Sequence, residues 1–149
     1  MIFQFFMEMD PPTATAQEKQ VRIMNGRPVF YEPASVKTAK KILMAGLKGN
    51  VPESPIEGPV RLNVMWRFPR GRHKDGEWRI TKPDTDNLQK LLKDCMTKLG
   101  FWKDDAQVAH ENVVKIWTDD PTGIVISVER MKEKIYEERW ADMEPDEGL

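Results

Sequence analysis

A chain of 149 residues is the length of one ordinary domain, long enough to bury a real core and too short for two comfortable ones. With 40% hydrophobic residues broken into short charged-flanked runs, five tryptophans and one cysteine, it excludes a membrane span, a disulfide scaffold and wholesale disorder. The formal net charge of −1 argues against indiscriminate nucleic-acid binding, but it averages a basic centre (seven Lys/Arg against two acids, Arg61 to Lys82) with an acidic end (four basic and eight acidic residues, Glu129 to Leu149).

In chain order, Ile2 to Met9 alternates as a strand and stops at Asp10 and Pro11-Pro12, because proline removes ladder donors. It lacks the basic leader of a signal peptide, and the lone Cys95 fits a buried core position in a reducing, cytoplasmic setting. VRIMNGRPVF places Asn25-Gly26 between two alternating arms, a hairpin signal. Ser35 stands as an N-cap ahead of a helix with Val36, Ala39, Ile42, Leu43 and Leu47 on one face, and Gly49-Asn50 ends it. Val60, Leu62, Val64, Trp66 and Phe68 alternate with Arg61, Asn63, Met65 and Arg67, predicting a half-buried strand with a basic outer face. A basic loop, PRGRHKDGEWRITKP, leads to a helix over about Asn87 to Leu99 closed by Gly100. Strands over Val108 to Trp117 and Ile124 to Val128 follow, joined by TDDPTG. From Arg130 the chain reads as a charged helix to Pro145, in which Ile135, Tyr136 and Trp140 could form a dimer contact. The fold class is mixed α/β (α+β): a small, partly antiparallel sheet with helices packed on one face, in one domain over 1–130 with a tail over 131–149.

Five carboxylates crowd one segment, KPDTDNLQKLLKDCMTKLGFWKDDAQV: Asp84, Asp86, Asp94, Asp104 and Asp105. Leu88, Leu91, Leu92, Cys95 and Leu99 share a helical stripe, leaving Asp86, Lys90 and Asp94 on the opposite face, where i,i+4 ion pairs would contribute only a few tenths of a kcal/mol. Asp86 with Gln89 also matches a capping box. Capping needs one acid, whereas Asp84 and Asp86 in an extended entry to the helix would project to the same side. Such a pair repels unless a cation neutralises it, and Mg²⁺ with oxygen ligands is a natural neutraliser. Asp104 and Asp105 open the next strand; spacing alone leaves them between a charged turn and a return to the helix start. His73 and His110 have no Ser or Cys nucleophile at recognisable spacing, so His73 reads as a phosphate contact.

The run KPDTDNLQKLLKD, followed by KLGFWKDDAQV and a strand ending VVKIW, resembles the RusA family of Holliday-junction resolvases. The similarity is strongest from Lys82 to Trp117 and covers the core but not the tail. It implies a compact α/β homodimer acting on branched DNA, often phage or prophage encoded, with Mg²⁺ (or Mn²⁺) as cofactor. It further implies that Asp84, Asp86 and Asp105 bind metal and that Lys90 lies near the scissile phosphate. Arg67, Arg70, Arg72, His73, Lys74, Arg79 and Lys82 would then contact the DNA backbone and offset the repulsion of the acids. Three features depart from the family pattern: Pro83 where some relatives carry a basic residue, a long loop from Pro69 to Lys82, and the acidic tail. Two rival readings are a non-catalytic junction-binding accessory protein on the same scaffold and a metal-dependent hydrolase of nucleotides.

Overall fold

In the computed structural model the described residues are 2–15 and 20–134. The elements run β1 (Ile2–Glu8), β2 (Gln20–Met24), β3 (Arg27–Tyr31), α1 (Ala34–Leu47), β4 (Val60–Pro69), α2 (Thr85–Leu99), β5 (Val108–Thr118) and β6 (Gly123–Arg130), with short 3-10 turns at Lys48–Asn50 and Asp105–Gln107. Four strands form one sheet in the order β1-β6-β4-β5; β4 and β5 run parallel, and the other pairs are antiparallel. A parallel neighbour requires a crossover connection, and α2 supplies it. The mixed, partly antiparallel sheet expected from the alternation is therefore the sheet observed.

Burial follows the pleat. Along β4, Val60, Leu62, Val64, Trp66 and Phe68 are buried while the residues between them are half-buried. Ile124, Ile126 and Val128 of β6 join them, covered by Val36, Ala39, Leu43 and Leu47 of α1 and by Leu88, Leu91, Leu92, Cys95 and Met96 of α2. Each such side chain contributes about 1.5–3 kcal/mol on leaving water. Cys95 is part of this packing, and burial pushes its thiol up to about 11, so it is a core residue rather than a reactive one. No helix among the described residues is long and apolar enough to cross a membrane.

Three local expectations change. Ser35 lies inside α1, whose N-cap is Pro33 with no side-chain capping bond; proline's fixed φ starts the helix without a hydroxyl. The Asn25-Gly26 hairpin forms, with φ of 52° and 73°, but as a separate two-stranded sheet of β2 and β3. Past β6, residues 131–134 are not helical, and the remainder of the expected tail helix, with Ile135, Tyr136 and Trp140, lies outside the described residues.

One glycine determines how β1 closes the sheet. Gly123 pairs with Glu8 at φ 153°, and a Cβ there would stand 2.1 Å from the carbonyl oxygen of Met7 and 2.7 Å from the Phe6 ring. Gly123→Ala should therefore displace β1 and cost more than about 2 kcal/mol. The check is a urea melt, in which an unchanged midpoint would show that β1 tolerates the side chain.

Candidate active site

α2 begins at Thr85, two residues before the expected start at Asn87. Asp84, with φ −70° and ψ 150°, is the N-cap, and its carbonyl accepts from Leu88 N–H to close the first turn. Its carboxylate makes no capping bond and remains exposed. Asp86 is consequently the second helical residue and not the cap, which removes the capping-box reading. Asp84 keeps the extended conformation expected of the helix entry, whereas Asp86 lies within the first helical turn. Both acids sit where the helix dipole favours negative charge.

Asp86 borders an open groove of about 430 Å³ between α2 and the edge strand β5. From α2 come Thr85, Asp86, Gln89, Lys90 and Lys93; from the following turn and strand come Asp105, Glu111 and Val113. Pleat parity explains the strand's share. Glu111, Val113, Lys115 and Trp117 pair with the buried Leu62, Val64, Trp66 and Phe68, so they belong to the helix-covered face. At the sheet edge that face meets solvent, which allows a carboxylate to stand there.

The GFWKDDAQV block is a clip that presents Asp105. Phe101 and Trp102 are buried, and the Trp102 indole donates to Thr97 Oγ1 at 2.7 Å. Asp104 accepts from Ala106 N–H at 2.9 Å, while Gln107 Oε1 accepts from the Lys103 and Asp104 amides, completing a capping box. The Gln107 amide donates in turn to the carbonyls of Ile56 and Gly58. Asp104 and Gln107 are thus engaged in structure, and Asp105 is left half-buried on the groove.

A polar relay connects the groove to the core. The buried Trp66 indole donates to Gln89 Oε1 at 2.7 Å, Gln89 Nε2 donates to Glu111 Oε1 at 2.7 Å, and Lys93 Nζ donates to Glu111 Oε2 at 3.0 Å. Gln89 is itself only 3% exposed, so its two bonds satisfy a group that burial would otherwise penalise. Lys90 points to solvent with Nζ 3.8 Å from Asp94, a pairing of the weak surface type.

Asp84 does not border the groove. It lies next along the same helix–strand edge, where Lys115 Nζ donates to the carbonyls of Thr81 and Pro83 and ties down the approach to α2. Burial lowers the Lys115 pKa, Arg79 adds to that, and the Asp84 charge opposes it. Among the described residues no three acidic, His or Cys side chains converge as a ready-made chelate. Asp86 and Asp105 share the groove with Glu111, and Asp84 flanks it.

The basic residues divide by what they touch. Arg67 donates to Thr118 Oγ1 and the Pro121 carbonyl, and Arg70 pairs with Asp119 and donates to the His73 carbonyl. His73 stacks on Trp117 with ring centres 4.1 Å apart. Arg79 lies over both Phe68 and Trp117 and donates to the Lys82 carbonyl. Asp75, held below the usual carboxylate range by the Asp119 amide and the Thr118 hydroxyl, closes the loop onto the end of β5. Lys74 meets Glu77 electrostatically, while Arg72 and Lys82 have no side-chain partner among the described residues.

Sequence reasoning missed Gln89, Lys93, Glu111 and Lys115. The helical wheel held a signal for the first two, since they are four residues apart beside the apolar stripe. The two strand residues required knowing which face of β5 turns inward.

The family model for Endodeoxyribonuclease RusA matches residues 10–129. The crossover junction endodeoxyribonuclease of Lactococcus phage r1t is 31% identical over 131 residues, which span 86% of this chain and 98% of the phage protein. The enzyme of the same description from Enterobacteria phage 82 is 37% identical over 70 residues, covering 47% of this chain and 51% of its own. An Escherichia coli counterpart is 41% identical over 58 residues, 39% of this chain and 41% of that protein.

Proposed function

Because the chain belongs to the RusA family of endodeoxyribonucleases, we propose that it cleaves Holliday junctions and similar branched DNA by paired, symmetric nicks during recombination or repair. The observation that carries this reading is the groove between α2 and β5. It places Asp86, Asp105 and Glu111 against Lys90 and Lys93 at an open edge of the sheet, with Asp84 beside it.

Asp84, Asp86 and Asp105 would hold a divalent ion, Mg²⁺ or Mn²⁺. Their hard carboxylate oxygens suit such an ion, and an incomplete protein chelate suits one that keeps waters and draws ligands from substrate phosphate. When bound, the ion offsets charge building on the phosphate and acidifies the attacking water. The chain's own groups do the remaining work. Lys90 reaches out of the groove toward the phosphate, and Glu111 is held by Gln89 and Lys93 so that its charge stays at a fixed place. Arg72, Lys74 and Lys82 would contact the DNA backbone, which makes binding fall steeply with salt.

Symmetric nicking needs two sites. The β2–β3 hairpin, which exposes Val21, Ile23, Met24 and Phe30, supports a homodimer, since an isolated hairpin is marginally stable in water and gains from a second copy. Ile23→Asp should convert a dimer to a monomer in sedimentation; a dimer surviving with unchanged affinity would place the contact elsewhere.

The functional reading is tested with a four-way junction labelled on opposing strands beside a linear duplex of the same sequence. Paired nicks confined to the junction support it. Equal cutting of the duplex, or turnover of small phosphoesters alone, would replace it.

A further inference from the structure

The segment from Glu77 to Lys82 has its side chains the wrong way round for a solvated loop. Its backbone is fastened to β5: Trp117 N–H donates to the Glu77 carbonyl at 2.8 Å, Arg79 N–H donates to the Lys115 carbonyl at 3.0 Å, and Lys115 Nζ holds the Thr81 carbonyl at 2.8 Å. Trp78 is paired opposite Ile116, so the segment acts as a short additional edge strand. On a strand, alternate residues face opposite sides. Here the charged Arg79 faces inward onto Phe68 and Trp117, whereas Trp78 and Ile80 face solvent, 66% and 92% exposed.

A register that buried the indole and the isoleucine while freeing the guanidinium would remove more apolar surface from water. The fastened backbone prevents it, and the Arg79 Nε is left buried without a hydrogen-bond partner. A pair of apolar side chains held out rigidly at this cost marks a binding surface. Its surroundings specify the partner. Residues 70–82 hold five Lys/Arg against two acids, and the Arg72 and Lys82 side chains have no partner among the described residues. An apolar platform inside a cationic loop complements a flat aromatic ring attached to a polyanion, which is an unstacked nucleobase. Trp78 pairs opposite Ile116 and so stands on the sheet side away from the α2-covered groove, while the chain from Ile80 reaches Asp84 four residues later.

We propose that Trp78 and Ile80 form a stacking wedge that receives bases exposed where DNA strands exchange, giving the enzyme preference for branched over linear DNA. The proposal rests on the nuclease reading above. Binding is therefore measured in the full-length Asp86→Asn background, where cleavage does not interfere, with and without Trp78→Ala. Affinity for a four-way junction should fall on the order of 10-fold, while affinity for linear duplex and the salt dependence of binding stay the same, since no charge is removed. Trp78→Phe should recover most of the loss, and quenching of 2-aminopurine placed at the crossover should disappear in Trp78→Ala.

If the protein with Trp78 intact shows no preference for the junction, the nuclease reading and the wedge fall together. Should it prefer the junction and Trp78→Ala bind equally well, only the wedge is overturned. A shift to monomer in Trp78→Ala, measured by sedimentation, also overturns it and assigns the patch to an interface between copies of this chain.

Discussion

Replacing Asp86 by Asn lowers junction cleavage on the order of a thousandfold and leaves junction binding the same or tighter. The substitution is nearly isosteric, and among the described residues Asp86 makes no hydrogen bond that holds α2 in place: the helix is started by Asp84 and sustained by its buried stripe. Only the charge facing the groove is lost. Because that charge repels the DNA backbone, removing it favours binding even as it removes a proposed metal ligand. Asp105→Asn should behave alike. Asp104→Asn is the contrast, since Asn caps as well as Asp and Asp104 is engaged with Ala106 N–H; it should keep cleavage within a few-fold of wild type. Single-turnover kinetics on labelled junctions, with circular dichroism to confirm folding, separate the three. Full activity in Asp86→Asn would move the chemistry out of the groove.

The second large effect is on stability. Trp66 is fully buried at the centre of β4, with β5 on one side and β6 on the other. Trp66→Ala should cost about 3–5 kcal/mol, from lost contacts and the cavity left behind. Trp66→Phe keeps much of the packing and removes the indole donor, leaving Gln89 Oε1 buried and unpaired; about 1–3 kcal/mol is expected. The relay adds a functional signature. Gln89 without its anchor no longer fixes Glu111 beside Lys93, so Trp66→Phe should slow cleavage at temperatures where it remains folded. Urea melts and cleavage rates on the same samples test both, and a rate unchanged in a destabilised Trp66→Phe would confine the relay to structure.

Periodicity carried much of the fold. The strict alternation of β4 is reproduced in its burial, the Leu88-Leu91-Leu92-Cys95 stripe is the buried face of α2, and Asn25-Gly26 makes the turn its residues favour. Each of these depends on neighbours in sequence. Where the outcome depended on distant neighbours, local reading stopped short. Nothing in the alternation of β2 and β3 says which sheet they join, and among the described residues they pair only with each other. The inward parity of Glu111 follows from its pairing with Leu62, 49 residues earlier, which no window on β5 contains.

The candidate site shows the same division. The acids were visible because five of them fall in one segment, but their separate duties were not. Asp104 turns out to cap the 3-10 turn while Asp105 borders the groove, and only the positions of Gln107 and Trp102 distinguish the two. Asp84 and Asp86 were read as a pair on an extended entry; Asp84 is extended, while Asp86 already lies in the first helical turn. The basic loop looked like a uniform cationic run; hydrogen bonds, an ion pair and aromatic stacking engage Arg67, Arg70, His73 and Arg79 in holding its shape.

Metal-dependent junction cleavage by the carboxylates along the edge of α2 and β5 is tested by incubating a four-way junction with the wild-type chain in Mg²⁺, in excess chelator, and after Mg²⁺ is restored. Paired nicking that is lost in chelator and recovered with Mg²⁺, with junction binding present throughout, is the predicted result. Tight binding without nicking in Mg²⁺ or Mn²⁺ would contradict it and leave a junction-binding protein whose acids serve only to shape the helix start and the turn.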